Sequence, residues 1–128
     1  MKSFFYIITI IASLTTSCAK KTDSKKAIDS IWVPRSYENS ITVYSRENQF
    51  QENESGFNIF KNGTLKVKQN SGSCGTPPID WEIVSGEWQI KNDTLLTLKR
   101  PIWSNKNYSQ NYIIVKITED SLFLKESY

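Results

Sequence analysis

The sequence has no histidine, and this absence excludes several kinds of chemistry at once. Histidine is the usual base that activates a serine or cysteine nucleophile, and it is the commonest protein ligand of zinc. Carboxylates are present at Asp80, Glu82, Glu87 and Asp93, but their scattered positions indicate solvated strand faces and turns rather than a catalytic pair. The sequence therefore predicts a protein that is not an enzyme and that has no metal and no cofactor.

A strong charge of either sign is also lacking. The chain carries 16 basic and 13 acidic residues, and the basic ones form no patch beyond a short lysine-rich stretch at residues 20–26. Proteins that bind nucleic acid display a basic face that neutralises phosphates. We therefore expect no nucleic-acid partner.

Cysteine is scarce, with only Cys18 and Cys74 in the whole chain. If Cys18 is modified, no disulfide can form within the chain, and stability must come from packing. Cys74 lies in a segment rich in glycine, serine and proline at residues 71–78, which is typical of a loop. With no histidine to lower its pKa, we interpret Cys74 as a packed side chain rather than a reactive thiol.

The apolar run at residues 4–14 is too short for a membrane-spanning helix, which needs about 20 apolar residues. It follows Lys2 and precedes three small residues and Cys18, and this layout resembles a bacterial lipoprotein signal peptide. Leu14 lies four residues before the cysteine, where the usual motif has leucine three before it. The alternative is an ordinary signal peptide cleaved nearby, which would leave Cys18 as a plain thiol.

The lipoprotein interpretation divides the chain into three parts. Residues 1–17 are a signal peptide that is removed, residues 18–28 are the lipidated Cys18 with a polar tether, and residues 29–128 are the folded domain. Acyl chains on Cys18 would anchor the protein to a membrane without a spanning helix. No acidic run follows Cys18, which favours a periplasm-facing position on the outer membrane.

Beyond the tether, apolar and polar residues alternate in short runs separated by turn residues, which predicts antiparallel strands. Turns are predicted at Asn62-Gly63, Asn92-Asp93 and Glu119-Asp120, and longer loops at residues 45–56 and 101–109. A first strand at Ile31 to Val33 is limited by Pro34. The alternation assigns the following residues to the core face: Leu65, Val67, Trp88, Ile90, Leu96, Leu98, Ile113, Val115, Ile117, Leu122 and Leu124.

The predicted fold class is all-β, an antiparallel up-and-down meander of about seven or eight strands closed into a small barrel. Closure removes the exposed edges of a sheet, and a barrel of about eight strands can hold side chains or one small ligand. A β-sandwich is the alternative.

The hairpin from Gly86-Glu87-Trp88 to Asp93-Thr94-Leu95, with the closing hairpin around Asp120-Ser121-Leu122, resembles the small lipocalin-like lipoproteins of Gram-negative envelopes. The resemblance implies a lipocalin-like barrel. Lipocalins open with Gly-x-Trp, whereas this chain has Ser30-Ile31-Trp32, so the glycine is missing. The resemblance also implies a late basic residue packed on Trp32, for which Lys125 is the candidate.

The aromatic residues have two possible roles. Trp32 and Trp88 are predicted to be core, while four aromatics nearer to loops are weak candidates for contact with a ligand or partner: Trp81, Trp103, Tyr108 and Tyr112. A ligand carrier for a small apolar or amphiphilic molecule is the predicted function. The alternative is a protein-interaction module with a filled barrel, such as an inhibitor of an envelope enzyme.

Overall fold

Eight antiparallel strands close into a barrel. The computed structural model describes residues 27–72, 77–102 and 106–128. The strands, in chain order, are β1 (Ile31–Glu38), β2 (Ile41–Glu47), β3 (Gly56–Ile59), β4 (Thr64–Asn70), β5 (Trp81–Lys91), β6 (Leu95–Pro101), β7 (Asn107–Ile117) and β8 (Ser121–Ser127). Their order around the barrel is β1-β2-β8-β7-β6-β5-β4-β3, and β3 pairs with β1 to close it. The predicted all-β class and closed barrel are confirmed. The predictions for Cys18, Cys74 and Trp103 lie outside the described residues.

Strands β3 to β8 follow one another as an up-and-down meander, but the connection from β2 to β3 crosses β1. This crossover segment, residues 48–55, passes over the outside of the barrel wall. Val33 is fully buried although it does not belong to the interior core cluster. A Cβ atom placed on Gly56 would meet Val33 and Phe50 at 3.4 and 3.5 Å. Phe50 of the crossover segment therefore lies near the buried Val33 on the outer face of β1.

The three predicted turns are confirmed, because each lies between two paired strands. Gly63 has a φ of 89°, and Asn92 and Asp93 have φ values of 54° and 58°, which are left-handed conformations that these residue types adopt at low cost. A further two-residue turn joins β1 to β2, and its Asn39 and Ser40 have φ values of 51° and 65°. This last turn was not predicted, because Asn-Ser is a weaker hairpin sequence than Asn-Gly.

Strand β1 continues through Pro34 instead of ending near it. The register against β2 shifts between Pro34 and Ser36, so that Arg35 is an extra residue in a β-bulge. A bulge interrupts the ladder of hydrogen bonds, and it is one of the few strand positions where proline is tolerated. Arg35 forms salt bridges with Glu47 of β2 and Glu54 of the crossover segment. These salt bridges tie β1 to both.

The two predicted loops are shorter than expected. Strand β2 extends to Glu47 and β6 to Pro101, while β7 already begins at Asn107. The ends of these strands consist mostly of polar residues, so they lack the apolar–polar alternation that would distinguish a strand from a loop. The sequence therefore placed these strand ends in the loops 45–56 and 101–109.

The assignment of the core face is confirmed for most strands and wrong for part of β7. Tyr112 and Ile114 are buried in the core, whereas Ile113 and Val115 are 42% and 50% exposed. Four consecutive apolar residues at 112–115 carry no alternation that could choose between the two faces. A register shift between Ile114 and Lys116 leaves Val115 as a bulge residue, and Ile117 then packs against the core as predicted.

The two ends of the barrel, which we name the base and the mouth, are built differently. The base is the end where the described chain begins, and it carries the short connections 60–63, 92–94 and 118–120. The mouth carries the turn at 39–40, the ends of β4 and β6, the starts of β5 and β7, and the last residue of the chain.

Candidate functional site: a cavity at the mouth

Two tryptophans fill the base. Trp32 is fully buried and its Nε1 donates a hydrogen bond to the carbonyl oxygen of Ile28, 2.8 Å away. Trp88 is also buried, and its Nε1 donates to the carbonyl oxygen of Phe60 at 2.7 Å. Buried indole N–H groups need such acceptors. Both tryptophans are core residues, as predicted, and Ile28 of the predicted tether is itself fully buried against them.

Arg46 of β2 closes the base over Trp32. Its guanidinium carbon lies 4.7 Å from the centre of the Trp32 ring, and its nitrogens donate to the carbonyl oxygens of Ala27 and Glu119. One cation thus joins the start of the described chain, β1, β2 and the β7–β8 turn. The prediction of Lys125 for this role was wrong, because Lys125 pairs with Ile41 toward the mouth.

Toward the mouth the wall of the barrel opens on both sides of the β4–β5 hairpin. Strand β3 begins only at Gly56, which pairs with Lys68, so Gln69 and Asn70 of β4 pair with β5 alone. On the other side, the pairing of β5 with β6 ends at Glu87. A Cβ atom on Gly86 would lie 2.0 Å from the carbonyl oxygen of Lys99, so only glycine fits where these two strands part.

A cavity of about 340 Å³ occupies the mouth and reaches the gap between β1 and β4. Its deeper wall is apolar and aromatic, and its outer wall is polar. The lining residues used below are Tyr44, Phe57, Val67, Lys68, Gln69, Trp81, Leu98, Arg100, Gln110 and Tyr112. Ligand pockets commonly have volumes of about 300–1,000 Å³ and combine such walls with a few polar groups. The cavity is therefore large enough for one small organic molecule.

Tyr44 and Tyr112 form the floor of the cavity above the packed core. The Tyr44 ring packs against Phe57 with ring centres 5.0 Å apart. Burial raises the pKa of Tyr44 and of Tyr112 above the ordinary tyrosine value, because it disfavours the charged phenolate. Both hydroxyl groups are consequently neutral at physiological pH and can donate or accept hydrogen bonds inside the cavity.

Two cationic side chains line the cavity, and they differ in what they bind. Lys68 is buried beside the crossover segment, where its Nζ donates to the carbonyl oxygens of Gln51 and Glu52 and lies 5.5 Å from the centre of the Trp81 ring. Arg100 has a buried Nε with no hydrogen-bond partner, and its guanidinium carbon is 6.0 Å from the centre of the Tyr108 ring.

Two carboxylates near the mouth are bound by neutral donors. Glu82 accepts a hydrogen bond from Gln69 Nε2 at 2.9 Å. Glu126 accepts from Gln110 Nε2 at 2.9 Å and from the Tyr128 hydroxyl at 2.8 Å. Neither carboxylate forms a hydrogen bond with Arg100 within the described part of the chain.

The structure brings three of the four sequence-predicted aromatic residues to the mouth. Trp81 and Tyr112 line the cavity, and Tyr108 lines a neighbouring depression of about 300 Å³ together with Arg100. Trp103 lies outside the described residues. Sequence reasoning missed Arg100, although the alternation of Leu96, Leu98 and Arg100 places it on the core face.

Residues 27–72, 77–102 and 106–128 contain no group of three or more acidic or cysteine side chains placed to hold a metal ion. The same residues include no helix with the length and hydropathy of a membrane span.

The fold and the site define this protein as a closed, eight-stranded antiparallel barrel with a cavity at one end. No protein-family model, curated protein or solved structure matches the chain. The resemblance to lipocalin-like lipoproteins stays a prediction from the sequence.

Proposed function

We propose that this barrel binds one small amphiphilic molecule in the cavity at its mouth. The observation that carries the proposal is the cavity of about 340 Å³, which lies between an apolar floor and a polar opening. An apolar body would cover Phe57, Val67 and Leu98, while a polar group would remain near the amides and cations of the outer wall. The lipocalin-like resemblance of the sequence points to the same function.

Binding, rather than catalysis, is the role that we propose for the mouth. Two acidic side chains near the mouth, Glu82 and Glu126, each accept a hydrogen bond from an amide donor. A general acid or base needs a carboxyl group free to exchange a proton with the substrate. The phenols of Tyr44 and Tyr112 favour their neutral forms, which suits hydrogen bonding to a ligand.

The proposed location is the periplasmic face of the outer membrane, with acyl chains on Cys18 as the anchor. The described chain enters the barrel at the base, beside Arg46 and Trp32, and the cavity opens at the opposite end. A tether that leaves from the base would leave the mouth free to face the aqueous side. The ligand would then enter from the aqueous side.

The cavity can be tested by filling it. Val67 is 3% exposed and lines the cavity, so Val67→Phe adds a ring to the space that the ligand would occupy. Val115 is 50% exposed on the outer wall, and Val115→Phe is the matched control. Binding of an environment-sensitive apolar dye, measured by fluorescence titration, is expected to weaken at least about tenfold in Val67→Phe, a loss of about 1.4 kcal/mol. It should be unchanged in Val115→Phe. Equal binding by both variants would contradict the proposal.

A protein-interaction module is the alternative function, and exposed tyrosines at the mouth favour it. Tyr37, Tyr108 and Tyr128 are 71%, 42% and 110% exposed. Tyrosine is enriched where proteins bind one another. Replacing Tyr37 and Tyr108 with serine would weaken binding to a protein partner but leave dye binding in the cavity unchanged.

A further inference from the structure

The three arginines of the chain differ in how the protein uses them. Arg35 donates to two carboxylates, and Arg46 donates to two backbone carbonyl oxygens. Arg100 lines the mouth cavity, and its Nε is buried without a hydrogen-bond partner. Arginine is always charged, so this nitrogen cannot escape the cost of burial by losing its proton.

No carboxylate of the described chain forms a salt bridge with Arg100. The salt bridges there join Arg35 to Glu47 and Glu54, and Lys61 to Asp29. Glu82 and Glu126, two acidic side chains near the mouth, accept hydrogen bonds from neutral amide and hydroxyl donors. No carboxylate of the described chain therefore pairs with the positive charge of Arg100 beside the cavity.

A buried donor without an acceptor is destabilising, and more so when it is charged. Such a group is rare in folded proteins and calls for a specific explanation, such as a bound ion or a functional role. The planar guanidinium matches the paired oxygens of a carboxylate or phosphate, with which it forms two parallel hydrogen bonds. An oxyanion is thus the chemical group that best satisfies Arg100.

We propose that Arg100 anchors an oxyanion, so that the ligand of the mouth cavity is an amphiphile with a carboxylate or phosphate head group. This inference rests on the proposed function, because it assigns the head group of the molecule that the cavity binds. The apolar body would lie against Leu98, which shares the core face of β6 with Arg100, and against Val67 across the cavity. The hydroxyl of Tyr112 lies in the same lining and would donate to the head group.

Lys68 is the other cation of the lining, but its role differs. Its Nζ donates to the carbonyl oxygens of Gln51 and Glu52, and these bonds hold the crossover segment against β4. Because two of its three donors already bond to this segment, we expect removal of Lys68 mainly to loosen the wall rather than to change the preference for an anion.

The test compares three probes that share one alkyl chain: octanoate, octanamide and octyl phosphate. Dissociation constants are measured by calorimetric titration with the purified domain, and with its Arg100→Gln, Arg100→Lys and Lys99→Gln variants. Lys99 is the matched control, because it is the exposed neighbour of Arg100 on the same strand and its replacement removes one positive charge outside the cavity.

For the unchanged domain we expect octanoate or octyl phosphate to bind at least about tenfold more tightly than octanamide. Arg100→Gln should abolish this preference while octanamide still binds, Arg100→Lys should retain part of it, and Lys99→Gln should retain all of it. The tighter of the two anions identifies the head group as carboxylate or phosphate.

Equal affinity for octanoate, octyl phosphate and octanamide in the unchanged domain would overturn the inference and leave the proposed function standing. This result needs no variant, so it remains decisive even if Arg100→Gln fails to fold. An unaltered preference in a folded Arg100→Gln would also overturn it. Failure of all three probes to bind would contradict the inference and the proposed function together.

Discussion

The base and the mouth of the barrel are built from similar residue types but use them in opposite ways. At the base, Arg46 satisfies carbonyl oxygens and packs on Trp32, and each tryptophan donates to a backbone acceptor. At the mouth, Arg100 keeps a buried Nε without an acceptor, and Trp81 borders a cavity. Complete pairing is typical of a structural region, whereas incomplete pairing beside a cavity is typical of a binding site.

The largest expected effect is the loss of folding stability when Trp32 at the base is replaced by alanine. The change removes a fully buried indole, its hydrogen bond to Ile28 and the ring beneath Arg46. Truncation of a large buried aromatic costs about 3–5 kcal/mol, which is a large share of the stability of a small domain. Urea denaturation should show this loss or no folded protein at all. Trp81→Ala is the control at the mouth, and an equal loss there would contradict the distinction between the two ends.

The next largest effect is the difference in folding stability between variants of Arg46 at the base and Arg100 at the mouth. Arg46→Met leaves two carbonyl oxygens without their donor and removes a cation–π contact, so we expect the free energy of unfolding to fall by about 2 kcal/mol. Arg100→Met removes a side chain whose buried Nε has no hydrogen-bond partner, so the ligand-free domain should be equally or more stable. Both values come from urea denaturation without ligand. A loss for Arg100→Met as large as that for Arg46→Met would show that Arg100 is structural.

This pair of arginines also shows how far the sequence could predict the site. The alternation on β6 predicts that Arg100 faces inward. An arginine followed by proline at a strand end, however, is usually solvated. Arg46 was missed because it lies in a polar stretch with no apolar period, which was predicted to be a loop. The contact of Arg46 with Trp32 depends on the register between β1 and β2. Alternation within a single strand does not determine that register.

The fold itself was predictable wherever turn chemistry and alternation agreed, as at Asn62-Gly63 and along β4. It was not predictable at the crossover segment, because a polar connection does not reveal which strand it passes over. The face of β7 was ambiguous since residues 112–115 are all apolar. In each case the missing information is a pairing between distant parts of the chain.

A smaller effect is expected at alkaline pH from the cavity floor. Burial raises the folded-state pKa of Tyr44 and Tyr112 above the ordinary value of 10.0. The stability that depends on their neutral forms is therefore fully present below about pH 10 and is lost as the pH rises above that value. The double variant Tyr44→Phe/Tyr112→Phe should lose less stability between pH 9 and pH 11, measured by urea denaturation at each pH. The exposed Tyr37→Phe is the control and should follow the unchanged domain.

The smallest effect is expected at acid pH from the outer wall. The hydrogen bond from Arg35 holds the pKa of Glu47 below its ordinary value of 4.5. Its contribution to stability is present above that value and is lost as the pH falls through the lowered pKa. Because both side chains are partly exposed, Glu47→Gln should only slightly flatten the acid limb of a stability–pH curve. A marked change of slope at neutral pH would contradict this assignment.

The central claim, that the mouth binds and the base does not, can be tested by following the indole N–H signals in a nitrogen–proton correlation spectrum during titration with octanoate. The indole signal of Trp81 should shift progressively, since Trp81 lines the cavity. The signals of Trp32 and Trp88 should stay in place, because both indoles are buried in the base and already hydrogen-bonded to carbonyl oxygens. Shifts of Trp32 and Trp88 without a shift of Trp81, or no shift of any indole signal, would contradict the claim.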